Sequence, residues 1–111
     1  MIKLANAFSI QMFNTDKLNV LIHFKEISRE EVIELLADGF ENFIGHDDLT
    51  AVLSSELNMN IQVNRQSLSF NIGDILIISQ VIGGRLFIGT TQLPENFSIK
   101  YIKVVYDNTN I

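Results

Sequence analysis

Hydrophobic periodicity predicts a single compact α/β domain over residues 1–111, a mixed sheet of about five strands with two principal helices. Leu18, Val20, Ile22 and Phe24 recur at every second position, as do Ile99, Tyr101, Lys103 and Val105 near the end of the chain. That period of two is the mark of strands. Between them, Val32, Ile33, Leu35 and Leu36, then Leu49, Val52, Leu53 and Leu57, fall at helical spacing.

Ile2 to Ala5 reads as a short opening strand that stops near Asn6. The strand carrying Leu18 to Lys25 places His23 on its more exposed face, where a solvated histidine is the plain reading. Ser28-Arg29-Glu30-Glu31 has the form of a capping box, with Ser28 as N-cap and Glu31 at N3. The helix it opens is expected to stop at Gly39. A second helix starts near His46. Asn60 to Val63 and Ser67 to Phe70 read as short strand-like pieces, and Asn71-Ile72-Gly73-Asp74 as a turn. Asp74 to Ile82 is nearly continuous apolar and β-branched sequence, which predicts a central strand covered on both faces. Gly83-Gly84 is a further turn, and Arg85 to Gly89 leads into a polar loop through Pro94. The strand around Ile99 to Tyr106 closes the domain, with residues 107–111 as a frayed tail.

Composition narrows the functional classes. The chain has no cysteine, so disulfides and thiolate metal sites are excluded. The opening Met1-Ile2-Lys3-Leu4-Ala5-Asn6 is too short and interrupted for a signal peptide. No apolar run approaches the roughly 20 residues of a membrane span. A cytoplasmic protein with no membrane partner is the expectation. Net charge is −5, and the eight basic residues are scattered singly. Duplex nucleic acid normally demands a basic face, so it is not an expected partner. A small anionic ligand needs only two or three well-placed cations.

Asn42-Phe43-Ile44-Gly45-His46-Asp47-Asp48 carries the most chemistry, with one of the two histidines directly behind a glycine where a loop turns into a helix. Free amides and the helix dipole make such an end favourable for anions. An imidazole there can protonate the leaving oxygen of a phosphodiester. The plain alternative is that His46 caps the helix beside Asp47 and Asp48.

Three segments resemble one family, in order. They are Leu4-Ala5-Asn6-Ala7-Phe8-Ser9-Ile10, then Ile44-Gly45-His46-Asp47, then Val63-Asn64-Arg65 followed by Ile78-Ser79-Gln80. Together they resemble the small viral ring nucleases, which act as type III anti-CRISPR proteins and have cellular and mobile-element relatives. The resemblance implies a homodimer that binds cyclic tetra-adenylate and cuts it to linear di-adenylate, without a metal or other cofactor. It assigns the general-acid role to His46 and charge stabilisation to Arg85. Ligand contact falls to Asn6, Ser9, Gly45, Arg65, Ser79 and Gln80. Without the resemblance, Asn6 and Ser9 read as a turn and a helix cap, and Arg65 as a solvated arginine.

Arg85-Leu86-Phe87-Ile88-Gly89 is similar to the family's Arg-Leu-x-Glu-Gly, but Ile88 stands where the family has glutamate. That glutamate supports turnover in the family. Its replacement raises a second expectation, a cyclic-nucleotide-binding protein that sequesters or senses its ligand with weakened chemistry.

Overall fold

The computed structural model describes residues 1–14 and 18–107. Its elements in chain order are β1 (Ile2–Ala5), a 3₁₀ turn (Ile10–Met12), β2 (Leu21–Ile27), α1 (Arg29–Leu36), β3 (Glu41–Asn42), α2 (Asp47–Leu57), β4 (Ile75–Ile82) and β5 (Ser98–Asp107). The five strands form one mixed sheet in the order β2-β5-β4-β1-β3. β1 runs parallel to both β3 and β4, whereas β5 is antiparallel to both β4 and β2. The expected α/β domain with two helices and a five-stranded mixed sheet is the one found.

Each face of the sheet buries its own core. On the helix side, Leu4 and Ile77 meet Val32 and Leu36 of α1 and Leu49, Leu53 and Leu57 of α2. On the other side, Ala5, Leu76, Ile78 and Val104 pack against Phe13 and Phe70, which arrive on irregular chain. The Phe13 ring meets that of Tyr106 edge-on at 5.2 Å, an arrangement aromatic quadrupoles favour. The nearly continuous apolar run of β4 is therefore explained, since it is the middle strand and feeds both cores. Successive residues such as Leu76 and Ile77 point into opposite layers.

The helix signals operate largely as expected. Ser28 Oγ accepts the Glu31 amide at 3.1 Å, so the N-cap half of the capping box is made. α1 ends at Leu36, earlier than Gly39 suggests, and the Gly39 amide folds back onto the Leu36 carbonyl at 3.1 Å. Asn71 to Asp74 is a turn, closed by the Asp74 amide on the Asn71 carbonyl at 3.0 Å.

Three expectations need correction. β2 starts at Leu21 rather than Leu18, and Phe24 is 57% exposed, because β2 is an edge strand whose second core thins out. Residues 60–63 and 67–70 are not strands. They bury Ile61 and Phe70 but make isolated bonds in place of a ladder: the Ile61 amide and carbonyl both bond to Ser54 Oγ, and the Phe70 amide donates to the Met12 carbonyl. The short β3 was not foreseen, since two residues carry no readable period. β5 runs through Asp107, where the frayed tail was expected to begin; residues 108–111 lie outside the described residues.

At the end of the sheet where β1 and β4 begin, one buried ion pair ties the first strand down. Lys3 Nζ donates to Asp74 Oδ2 at 2.8 Å and to the Ser69 carbonyl at 2.6 Å. Burial pushes the Asp74 carboxyl up, but the Lys3 hydrogen bond, the Asn71 amide and the nearby positive charges outweigh it. The group is held below its ordinary value of 3.8.

Asp74→Asn is expected to lower stability by about 3 kcal/mol, the cost of leaving a buried ammonium without its counter-charge, read as a fall in the urea midpoint. A depressed carboxyl contributes fully above the ordinary carboxylate value and loses that contribution as pH falls through the lowered one. The acid limb of the stability profile is therefore expected to be shallower in Asp74→Asn than in the wild type.

Candidate functional site

Parallel pairing brings the carboxyl ends of β1, β3 and β4 to one edge of the sheet, and an open cleft lies there. In α/β sheets this is where ligands are commonly received. Its first lobe, about 1010 Å³, is lined by Asn6 from the end of β1, by Gly45 to Asp48 at the start of α2, by Arg65 and Gln66, and by Ile88 to Thr91. A second lobe of about 870 Å³ shares Asn6, His46, Asp48 and Ile88, and adds Gln80, Arg85 and Leu86 among others. Each is near the upper end of the roughly 300–1,000 Å³ that holds drug-sized ligands.

The approach to α2 is built by two asparagines. Asn42 Oδ1 accepts the Ile44 amide at 3.1 Å, and Ile44 is wholly buried as an anchor. Asn64 donates its side-chain amide to the Asn42 carbonyl at 2.7 Å and its backbone amide to the Ile44 carbonyl at 2.9 Å. The next residue, Arg65, is thereby laid along the glycine. Its Nε donates to the Gly45 carbonyl at 3.0 Å, and its Nη2 lies 3.7 Å from Asp47 Oδ2. A Cβ on Gly45 would stand 3.1 Å from Arg65 Cγ, so a larger residue there makes the Arg65 side chain give way by a few tenths of an ångström. Asn64-Arg65 thus works as a clamp followed by a presented cation.

His46 occupies the N-cap position of α2, and its carbonyl accepts the Thr50 amide at 3.0 Å. Its imidazole makes no capping hydrogen bond. The plain capping reading therefore fails for the side chain, which is exposed at the cleft while the first-turn amides receive nothing from it. Both acidic residues of that turn face the same space: Asp47 is shared with Arg65, and Asp48 Oδ1 accepts the Gly89 amide at 2.9 Å.

The loop after β4 forms the remaining wall. Gly83 and Gly84 have φ of +126° and +153°, and a Cβ on either would come within about 3.1 Å of Phe97. The chain therefore turns tightly there, and Arg85 emerges directly into the second lobe.

Of the eight residues expected at a site, Asn6, Gly45, His46, Arg65, Gln80 and Arg85 line this cleft. Two are corrected. Ser9 accepts the Gln11 amide at 3.2 Å as the N-cap of the 3₁₀ turn and is not among the lining residues. Ser79 has no exposure at all, because its position in β4 turns it into the core. Its Oγ is without a hydrogen-bond partner, and nothing in the structure explains it. Asp48, Gln66, Thr90 and Thr91 line the cleft without having been singled out. Among the described residues no three His, Cys, Asp or Glu side chains are grouped to hold a metal. No helix among them is long and apolar enough to cross a membrane.

Residues 2–100 match one family model, STIV B116-like, and the chain belongs to that family. The solved structure of B116 of Sulfolobus turreted icosahedral virus (STIV) is similar, with a TM-score of 0.77 and 26% identity over 94% of this chain and 97% of that one. No curated protein matches the chain.

Gly45→Ala is expected to lower stability by about 1 kcal/mol, the scale of modest overpacking, in denaturant unfolding. Shortening the neighbour should relieve it: in an Arg65→Ala background the same substitution is expected to cost measurably less. Strict additivity of the two changes would show that Gly45 and Arg65 do not press on each other.

Proposed function

We propose that this protein is a metal-independent phosphodiesterase that opens cyclic tetra-adenylate to linear di-adenylate and so antagonises type III CRISPR signalling. The observation that carries the proposal is the convergence of His46, Arg65, Arg85 and Asn6 on one cleft at the N-terminus of α2. These residues are far apart in sequence, and the resemblance named them as site residues on motif alone. The family and its likeness to a viral protein support a viral origin, and the proposed reaction places the protein in the host cytoplasm.

The reaction needs little that the cleft lacks. Each ribose of the ring carries its own nucleophile. The 2′-oxygen attacks the adjacent phosphorus as its proton leaves to solvent, the bond from phosphorus to the 5′-oxygen breaks, and a 2′,3′-cyclic phosphate forms. His46 donates the proton that the departing 5′-oxygen takes up. Arg85 answers charge growing on phosphorus, a task suited to a planar, permanently charged guanidinium. Arg65 holds a phosphate in the ground state. Its contact with Asp47 joins two side chains more than two-thirds exposed, so a phosphate displaces it at small cost. A homodimer suits a ring of four units, since two-fold symmetry presents two equivalent cuts.

One feature favours a second reading, a sequestering or sensing protein. Ile88 lines both lobes and is 98% exposed, where the resembled family carries the glutamate that supports turnover. An alkyl side chain there can neither accept nor move a proton.

The purified protein is expected to convert cyclic tetra-adenylate to linear di-adenylate in excess chelator, resolved by chromatography. His46→Ala should slow ring opening by about 10²- to 10⁴-fold while keeping most affinity. Tight binding with no turnover by the wild type would establish the sequestering protein instead. Absence of binding at high micromolar ligand would remove both readings.

The two arginines are expected to separate. Arg85→Ala should lower turnover more than affinity, and Arg65→Ala affinity more than the rate of the bound complex, in single-turnover kinetics. Two variants indistinguishable from wild type in both measures would show that the pocket is misassigned.

A further inference from the structure

Asp48 belongs to no motif of the resemblance, yet it lines both lobes of the cleft and accepts a hydrogen bond from a backbone amide 41 residues away. We propose that Asp48 is a positioning residue whose carboxylate latches the turn 87–90 onto the start of α2, fixing the loop that presents Arg85 beside His46.

The argument rests on what else holds that turn. It is closed on itself by the Thr90 amide and hydroxyl, which both donate to the Phe87 carbonyl, at 3.1 and 2.6 Å. Its tip has no packing: Phe87 is 82% exposed and Ile88 98%. On one side Leu86 rests against the helix-side core, and before Arg85 stand Gly83 and Gly84, which steady the backbone least. Among the described residues, the bond from the Gly89 amide to Asp48 Oδ1, at 2.9 Å, is the one hydrogen bond between residues 85–91 and the rest of the protein. It is charge-assisted, and it is made from the second position of α2, where a carboxylate is already favoured by the helix dipole. Arg85 thus sits between a seated leucine and two glycines, on a loop whose far end is held by Asp48. Without the latch, the loop has to be ordered when ligand arrives, which weakens binding.

Charge alone makes the opposite forecast. Asp48 adds a negative charge to a cleft proposed to receive a polyanion, so removing that charge and nothing else strengthens binding. The discriminating pair is Asp48→Ala, which loses both charge and acceptor, and Asp48→Asn, whose amide oxygen still accepts the Gly89 N–H. Both lose the same charge and dipole interaction, and alanine is the better helix former, so faster exchange in Asp48→Ala is not a helix effect.

In the ligand-free protein, hydrogen exchange at the Gly89 amide is expected to be slow in wild type and Asp48→Asn and clearly faster in Asp48→Ala. In titrations with cyclic tetra-adenylate, Asp48→Ala should bind about 3- to 10-fold more weakly, the worth of one hydrogen bond, and Asp48→Asn within about twofold of wild type or more tightly. Unchanged Gly89 exchange in Asp48→Ala, or tighter ligand binding by both variants alike, would overturn the latch. The inference about ligand rests on the proposed function. Failure of that reading is distinguishable, because a wild type that binds no ring would still be tested for the latch by exchange alone.

Discussion

Parallel pairing of β1 with both β3 and β4 is the constraint from which the site follows. Three strands with one polarity leave the sheet at one edge, so their exits are delivered to a common space whatever lies between them in sequence. β1 hands over Asn6, β3 leads through Gly45 into α2, and β4 runs into the glycines before Arg85. The apolar demands of the sheet reinforce this arrangement. β4 has to be central because it is apolar on both faces, and β1 must lie beside it to bury Leu4 on one side and Ala5 on the other. The cleft is therefore a by-product of satisfying two cores at once.

Local charge at that edge is organised differently from the charge of the whole chain. A protein of net charge −5 is poorly suited to attract a polyanion from a distance, and at physiological ionic strength the field of exposed charges fades within about 8 Å. What matters is the arrangement inside the cleft. There the two carboxylates of the first turn of α2 are engaged by groups of the protein itself, Asp47 by Arg65 and Asp48 by the Gly89 amide. The imidazole of His46 is not used for capping.

Sequence reading succeeded wherever the controlling physics is local. The Ser28 cap, the Asn71-Asp74 turn and the two-sided burial of β4 follow from neighbours a few residues apart. It failed where tertiary contact decides. Residues 60–63 alternate like a strand but meet β3 without a ladder, because side chains make the bonds: Asn42 donates to the Gln62 carbonyl and Asn64 to the Asn42 carbonyl. The Asn64 clamp explains why Arg65 lies against Gly45, but nothing in an Asn-Arg pair announces it. Likeness placed Ser79 in the site, whereas strand parity commits it to the core, and Gln80 beside it reaches the cleft. The partner of Asp48 is a backbone amide 41 residues on, a contact that leaves no trace in residue type.

The two ends of the sheet have divided the work. The end where β1 and β4 start carries the buried pair of Lys3 and Asp74, a costly desolvated contact that fixes the first strand. The cleft end carries polar side chains that remain in water: His46, Arg65 and Arg85 are all exposed, and the ion pair of Arg65 with Asp47 is of the weak, solvated kind. Fold and site are thereby decoupled. Side chains that do not help to hold the protein together are free to be oriented for a ligand, and exchanging them leaves both cores intact. The same decoupling lets position 88 hold isoleucine at a turn tip with nothing packed on it. The fold tolerates any side chain there, so the residue at that tip reports what the cleft does rather than how the protein stands.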